Sequence, residues 1–285
     1  MEVSYLRGPS GRIFLITCNY SAGVQRTQPF AVVRGVPEKS LSLFAAVGGA
    51  TRKAYVSRYY QGKQAYQYDT RWQRFNTRTL SETLATIDFT ALHGIQEQQG
   101  RLPRVLDVAC GTGLLLKQLL AQIPDIEAYG LDASADMLAQ AQAALQGHPH
   151  VHLERMQIGS GLASNLPYEQ EYFDLITCTN ALHDMPEALA LLNGLGKLLA
   201  PGGQLVVEDF APRQPRLFWA TFEWFLQQIE GNDVHAYTLK EARSLCRHAG
   251  LHVAGEKGFI IDWLWHGWVL SVYRTTQITI SSQSD

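Results

Sequence analysis

Cysteine is scarce in this chain: four residues in 285, Cys18, Cys110, Cys178 and Cys246, with no CxxC pair among them. So scattered a set argues against a disulfide framework or a zinc site; no metal is expected, and a reducing, cytoplasmic compartment fits. Long apolar runs are missing as well. Nothing approaches the ~18–20 consecutive residues of a membrane span. The IFLITC stretch from Ile13 is too short for a signal-peptide core and lacks a cleavage pattern. There is no dense Lys/Arg run, and the formal net charge is −2, which argues against a primary nucleic-acid-binding role. What the chain has in quantity is apolar residues, 46% of the total, enough for the core of one large domain with additions.

The most informative stretch is VLDVACGTG, Val105 to Gly113, followed by YGLD ending at Asp132. Val105, Leu106 and Val108 make the apolar run of a buried strand. Gly111 and Gly113 let the chain turn tightly and bring bare backbone close to a ligand. The run Leu114 to Leu120 reads as a helix whose free N–H groups point back at that ligand. Ala128 to Leu131 reads as a second strand, and Asp132 at its end can accept two hydrogen bonds from a ribose diol. This succession is how an α/β sheet holds a nucleoside. A dinucleotide fingerprint asks for a third glycine, and that position holds Leu116. Asp107, on the strand just before the turn, would repel a pyrophosphate but suits an ammonium or sulfonium group.

VLDVACGTG closely resembles the first motif of class I methyltransferases that use S-adenosylmethionine, and within them the small-molecule, UbiE-like members. The resemblance covers roughly residues 80–273, since FDLITCTNALHDMP from Phe173 is similar to the family's fourth-strand motif and LLAPGGQLVVEDF from Leu198 to its fifth. It implies an α/β, Rossmann-like sheet of seven mostly parallel strands with an antiparallel last strand, preceded by an N-terminal helical lid. It also implies that Asp107, Ala109, Gly111, Thr112, Gly113, Asp132, Ala133, Met137, Leu162, Ala163 and Asn180 hold the cofactor, with Tyr68 and Trp72 closing over it. Relatives usually carry an acid before an LP pair, where it meets the adenine amino group. In Gly161-Leu162-Ala163-Ser164-Asn165-Leu166-Pro167, Leu162 takes the acid's place, so Leu162 is expected to pack on the adenine ring.

Along the chain, residues 1–50 hold one β-like run, Arg12 to Tyr20, and then a stretch punctuated by Gln, Pro and Gly. They are expected to be poorly ordered or appended outside the fold. Residues 51–100 are expected to form an aromatic helical lid, carrying Tyr55, Tyr59, Tyr60, Tyr66, Tyr68, Trp72 and Phe75. Within it, Thr79-Leu80-Ser81-Glu82 reads as a capping box that opens a helix with Leu84, Ile87, Ala91, Leu92 and Ile95 on one face. The methyltransferase domain is expected at 101–275 and a frayed tail at 276–285. Inside that domain, Ser134 reads as a helix cap, and FDLITCTN as a central strand. Pro186 fits the first turn of a helix ended by Pro201-Gly202-Gly203. Phe218 to Ile229 reads as an aromatic helix. Thr238-Leu239-Lys240-Glu241 reads as a second capping box, opening a helix that Gly250 closes.

Ligands of open parallel sheets bind beyond the carboxyl ends of the strands, where Thr179, Asn180, His183 and Asp184 fall. His183 is the best-placed candidate base and His235 the second, because imidazole titrates near neutral pH. A His that only hydrogen-bonds the loop is the alternative. The expected activity is methyl transfer from S-adenosylmethionine to a small apolar or aromatic acceptor, with the lid and Trp219, Phe222, Trp224, Trp263 and Trp265 as pocket walls. The alternatives are a nicotinamide-dependent oxidoreductase and a catalytically silent partner module that keeps the nucleoside pocket. No nucleic acid and no membrane span are expected, and a homodimer is left open.

Overall fold

Side chains of successive strand residues point to opposite faces, and in this chain both faces are apolar, so the central strands must be covered twice. The computed structural model describes residues 2–7, 13–19, 60–157, 166–185, 187–211, 235–263 and 265–274. The chain divides into two compact units, Met1–Arg52 and Lys53–Asp285. In the first, β1 (Glu2–Arg7) pairs antiparallel with β2 (Ile13–Asn19), with an irregularity between Ser4 and Tyr5. The β-like run from Arg12 to Tyr20 corresponds to β2.

The second unit opens with helices α1 (Gly62–Tyr66), α2 (Tyr68–Arg71), α3 (Gln73–Thr86) and α4 (Phe89–Gln99). Strands and helices then alternate: β3 (Arg104–Val108), α5 (Leu114–Gln122), β4 (Glu127–Asp132), α6 (Ala135–Ala144) and β5 (Val151–Arg155). The second half carries β6 (Phe173–Thr179), α7 (Ala188–Leu198), β7 (Leu199–Ala211), α8 (Leu239–His248), β8 (Leu251–Ile260) and β9 (His266–Arg274). The sheet order is β5-β4-β3-β6-β7-β9-β8. The β9 strand runs antiparallel to both its neighbours, and the remaining pairings are parallel. The expected seven-stranded, mostly parallel sheet is therefore present, with its last strand inserted between β7 and β8.

Neighbouring residues of one strand enter different cores. Leu106, Ile176, Leu205 and Leu270 pack with α7 and α8, whereas Val105, Leu175, Val206 and Val269 pack with α3, α4 and α5. All eight are buried to within about 1% exposure, so truncating one such Leu to Ala is expected to cost about 2–5 kcal/mol. β6 lies in the middle of this sandwich, as its unbroken apolar run required. Ser134 caps α6 by accepting from the Met137 N–H, and Thr238 and Glu241 form the reciprocal capping box of α8.

Two boundaries depart from the sequence reading. Thr79 does not cap a helix: it lies inside α3, and its hydroxyl bonds back to the carbonyls of Phe75 and Asn76. The aromatic segment before it is already helical, so the helix starts earlier, and the true cap is Asp88, which accepts from the Ala91 N–H at the start of α4. Pro201-Gly202-Gly203 lies within β7 rather than after α7, because the strand begins at Leu199 directly behind the helix. The expected Phe218–Ile229 helix, Pro186, the tail and the side chains of Trp219, Phe222 and Trp224 lie outside the described residues.

Candidate active site

Backbone shape makes the first half of the site. Between β3 and α5 the chain takes left-handed conformations at Ala109, Gly111 and Gly113, with φ of 60°, 55° and 76°. A Cβ added at Gly111 would meet no atom within 4 Å; it would stand in the open space the turn leaves. At Gly113 a Cβ would lie 3.1 Å from Ala141 Cβ and 3.0 Å from Leu145 Cδ1, so this glycine lets α5 start hard against α6. The turn is tied to the next strand: Cys110 N–H donates to the Leu131 carbonyl at 2.9 Å, and Gly111 N–H donates to Asp132 Oδ2 at 2.8 Å. Ser134 N–H holds the other carboxylate oxygen, also at 2.8 Å. Asp132 is thereby fixed at the end of β4 with acceptor capacity left on both oxygens.

Burial decides the charges here. It pushes the Asp107 carboxyl from its ordinary 3.8 up to about 7, helped by nearby Asp132 and opposed by the Thr177 hydroxyl, which donates to Oδ1 at 2.7 Å. Asp132 is also shifted upward, again mainly by burial, against the pull of the backbone N–H groups around it. Two acids kept above their normal range in one recess are ready for a cationic ligand, which would restore the ionised forms. Cys110 is buried and its thiol is held well above its usual range by burial first and then by Asp107 and Asp132, so it is spacing rather than nucleophile.

The turn opens into a cavity of about 1130 Å³, counting the space at its mouth. One wall comes from β3, β4 and the segments just after them: Asp107, Ala109, Gly111, Thr112, Asp132, Ala133 and Met137. The second wall comes from the preceding helices and the loop after β6: Tyr60, Tyr68, Asn76, Leu80, Thr179, Asn180, Asp184 and Met185. The helices that precede the sheet form much of this second wall and are fastened to the first. Thr112 Oγ1 donates to Asp69 Oδ1 at 2.8 Å, Gly62 N–H to Asp136 Oδ2 at 2.7 Å, and Gln140 Nε2 to the Ala65 carbonyl at 3.0 Å. Ser134 Oγ donates to the Tyr60 carbonyl.

Asn180 follows β6 in a left-handed conformation, φ 50°, which is uncommon outside glycine. Its N–H donates to the Glu208 carbonyl at 3.0 Å and its Nδ2 to Thr79 Oγ1 at 2.9 Å. The loop is thus clamped between β7 and α3, and Asn180 Oδ1 remains buried without a partner among the described residues.

The structure brings together Asp107, Ala109, Gly111, Thr112, Asp132, Ala133, Met137, Asn180 and Tyr68 in the lining of one cavity. Four candidates lie outside that lining. Gly113 serves helix packing instead. Trp72 turns to Phe75, with ring centroids 5.6 Å apart. His183 is only 7% exposed; its Nδ1 faces Asp209 Oδ1 at 2.8 Å and its ring lies against Phe210. His235 is exposed, gives its backbone N–H to the His183 carbonyl, and sets its ring against Tyr237. Leu162 and Ala163 lie outside the described residues.

Met156 and Gln157, just past β5, were not singled out from sequence, nor were Asn76 and Leu80 on α3; all four line the cavity. The first pair had a usable signal, since they follow a parallel strand at its carboxyl end. The second had none, because one polar and one apolar residue on a helix carry no mark of what they face.

Sheet order, glycine turn and the acid at the end of β4 together resemble the arrangement of a class I S-adenosylmethionine-dependent methyltransferase domain. Residues 106–205 match the family model described as a methyltransferase domain. The chain is 32% identical over 149 residues to the demethylmenaquinone methyltransferase of Lactococcus lactis subsp. lactis, covering 51% of this chain and 58% of that protein. It is 34% identical over 127 residues to the demethylmenaquinone methyltransferase of Deinococcus radiodurans, covering 44% and 51%. The chain therefore spans little more than half the length of these curated relatives. Among solved structures, mitomycin 7-O-methyltransferase MmcR shares the fold with a TM-score of 0.55 at 15% identity, over 74% of this chain and 57% of that one.

The cofactor of such a domain is S-adenosylmethionine, and the residues present fit it. The space left at Gly111 admits a ligand against bare backbone, Asp132 offers acceptors to a ribose diol, and Asp107 offers negative charge to an ammonium or sulfonium. Bound there, the cofactor supplies an electrophilic methyl group.

Proposed function

We propose that this chain transfers a methyl group from S-adenosylmethionine to a small aromatic acceptor of quinone-like, ring-bearing character. The observation that carries the reading is one cavity lined both by the acids and bare backbone that follow β3 and β4 and by tyrosines, Leu80, Asn180 and Met185 from the preceding helices and the loop after β6. The names of the relatives support a ring acceptor. The chain's own residues bind and orient the two ligands, and the helices over the cavity exclude water, which is most of what a direct displacement asks of a protein. Residues 60–86 act as the lid, and Leu162 contributes to the adenine pocket. His183 assists removal of the acceptor's proton, and residues 1–50 are not needed for transfer. A cytoplasmic setting fits the free, buried Cys110, Cys178 and Cys246, and no described helix is long and apolar enough to cross a membrane.

The test is calorimetry with S-adenosylmethionine and S-adenosylhomocysteine, followed by a radiolabelled-methyl assay on a panel of naphthalene and benzene diols. Micromolar binding and label on an extracted ring product are expected. Absence of binding would sink the reading. Binding without transfer to any small molecule, until a second protein is added, would favour the silent-module alternative.

A further inference from the structure

We propose that Asp184 is the residue that takes the acceptor's proton, with His183 and Asp209 as positioning residues behind it. This rests on the methyltransferase reading above and assigns the proton-accepting group at the acceptor end of the cavity.

Position comes first. Asp184 is in the cavity wall, whereas His183, one residue earlier, is not. The Asp184 carboxylate is held on one oxygen only. Tyr60 O–H donates to Oδ2 at 3.2 Å, and His183 Nε2 lies 3.5 Å from the same atom. Oδ1 is buried and has no hydrogen-bond partner among the described residues. Buried acceptors are rarely left unmet, because a carboxylate oxygen stripped of water loses strong hydrogen bonds. Asn180, in the same wall, shares the condition: its amide nitrogen is committed to Thr79 and its oxygen is unmet. Neither oxygen is open to the cavity as the side chains stand, and a rotation that turns either one toward a ligand's donor supplies the bond it lacks. A ring bearing hydroxyl groups brings such a donor; the same ring as a ketone or methyl ether does not.

The second part is what stands behind Asp184. Asp209 is fully buried and accepts from the His183 backbone N–H at 2.8 Å and from its ring Nδ1 at 2.8 Å. A proton on Nδ1 leaves the Nε2 lone pair facing Asp184 Oδ2. The proton step then balances simply. The acceptor's O–H bond breaks, its electron pair stays on the ring oxygen, and the proton bonds to a carboxylate oxygen of Asp184. His183 Nε2 is the next acceptor along the line. The electron-rich oxygen, or a ring carbon conjugated with it, becomes the stronger nucleophile.

The test has a binding arm and a turnover arm on the full chain. Affinities for 1,4-dihydroxynaphthalene, kept reduced, and for 1,4-dimethoxynaphthalene are measured without cofactor by quenching of intrinsic fluorescence. The native protein is expected to prefer the diol about tenfold, the size of one hydrogen bond to a charged group. Asp184→Ala should abolish that preference. Asp184→Asn keeps an acceptor oxygen but cannot hold the proton as well, so it should bind the diol within about threefold while kcat falls on the order of 100-fold and KM stays close. Asp184→Glu should recover part of kcat, and His183→Asn should lower kcat by about tenfold, less than Asp184→Asn does. Native-like turnover by Asp184→Asn, or equal affinity of the native protein for the two rings, overturns the assignment. A native protein that binds no S-adenosylhomocysteine and moves no methyl overturns the methyltransferase reading, and this inference with it. A native protein that transfers label while Asp184→Asn matches it removes only the role of Asp184.

Discussion

At the proposed cofactor end of the cavity, most of the lining comes from one short stretch of chain, residues 107–137, joined by Met156 and Gln157, and the turn at Gly111 presents bare backbone. At the proposed acceptor end it comes from two dispersed segments, Tyr60 to Leu80 and Thr179 to Met185. The first end is fixed by what the chain must do to turn from a parallel strand into a helix. The second is fixed by tertiary packing, with Asn180 clamped by Glu208 and Thr79 and His183 clamped by Asp209. An end built from backbone tolerates sequence drift in its neighbours; an end built from dispersed side chains is free to change its ligand.

The largest effect expected from this contrast is at Asp132. Asp132→Ala removes the carboxylate that anchors the turn and would meet the ribose diol, two bonds to a charged group. Binding of S-adenosylhomocysteine should weaken by on the order of 100-fold, about 3 kcal/mol. Calorimetry reads it, and a loss below threefold would show that backbone alone makes that end.

A smaller effect follows from Asp107. Its folded-state value, about 7, lies above its ordinary 3.8, so the stability it contributes is full below about pH 4 and is lost as pH rises through 7. Binding of a cation runs the other way, because the ionised carboxyl is the form that attracts it. Affinity for S-adenosylmethionine should rise roughly tenfold between pH 6 and pH 8, and Asp107→Asn should flatten that rise. An equally steep rise in the variant would assign it elsewhere.

The smallest effect is at the seam between the two ends. Asp69→Ala removes the bond from Thr112, worth about 1 kcal/mol. Release of S-adenosylhomocysteine in stopped-flow should quicken about fivefold, with the melting temperature within a degree or two. An unchanged release rate would detach the lid from the cofactor end.

The same contrast explains what could be read in the sequence. VLDVACGTG and Asp132 were legible because a strand, two glycines and an acid at fixed spacing have few other uses. The sheet followed from apolar runs such as FDLITCTN. Thr79 misled, because a capping box is a local pattern and the preceding aromatic residues had already begun the helix. His183 looked like the base because imidazole is the usual choice, yet Asp209 two strands' length away in sequence draws its ring out of the wall. Asn76 and Leu80 were invisible for the same reason: their role depends on where a helix is laid, and nothing in a helix's own composition records that.

The bonds that fasten residues 60–71 to the cradle end on Thr112, Ser134 and Asp136, which flank Asp132 on both sides. Ordering of the lid and occupancy of the ribose position therefore share one free energy, and linkage makes the exchange symmetric. Whatever factor the closed lid adds to cofactor affinity, the cofactor must add to the lifetime of the closed lid. Amide protons of residues 62–71 should then slow in hydrogen exchange by that same factor when S-adenosylhomocysteine binds, so that one protection ratio measures how much of the affinity is held outside the glycine turn.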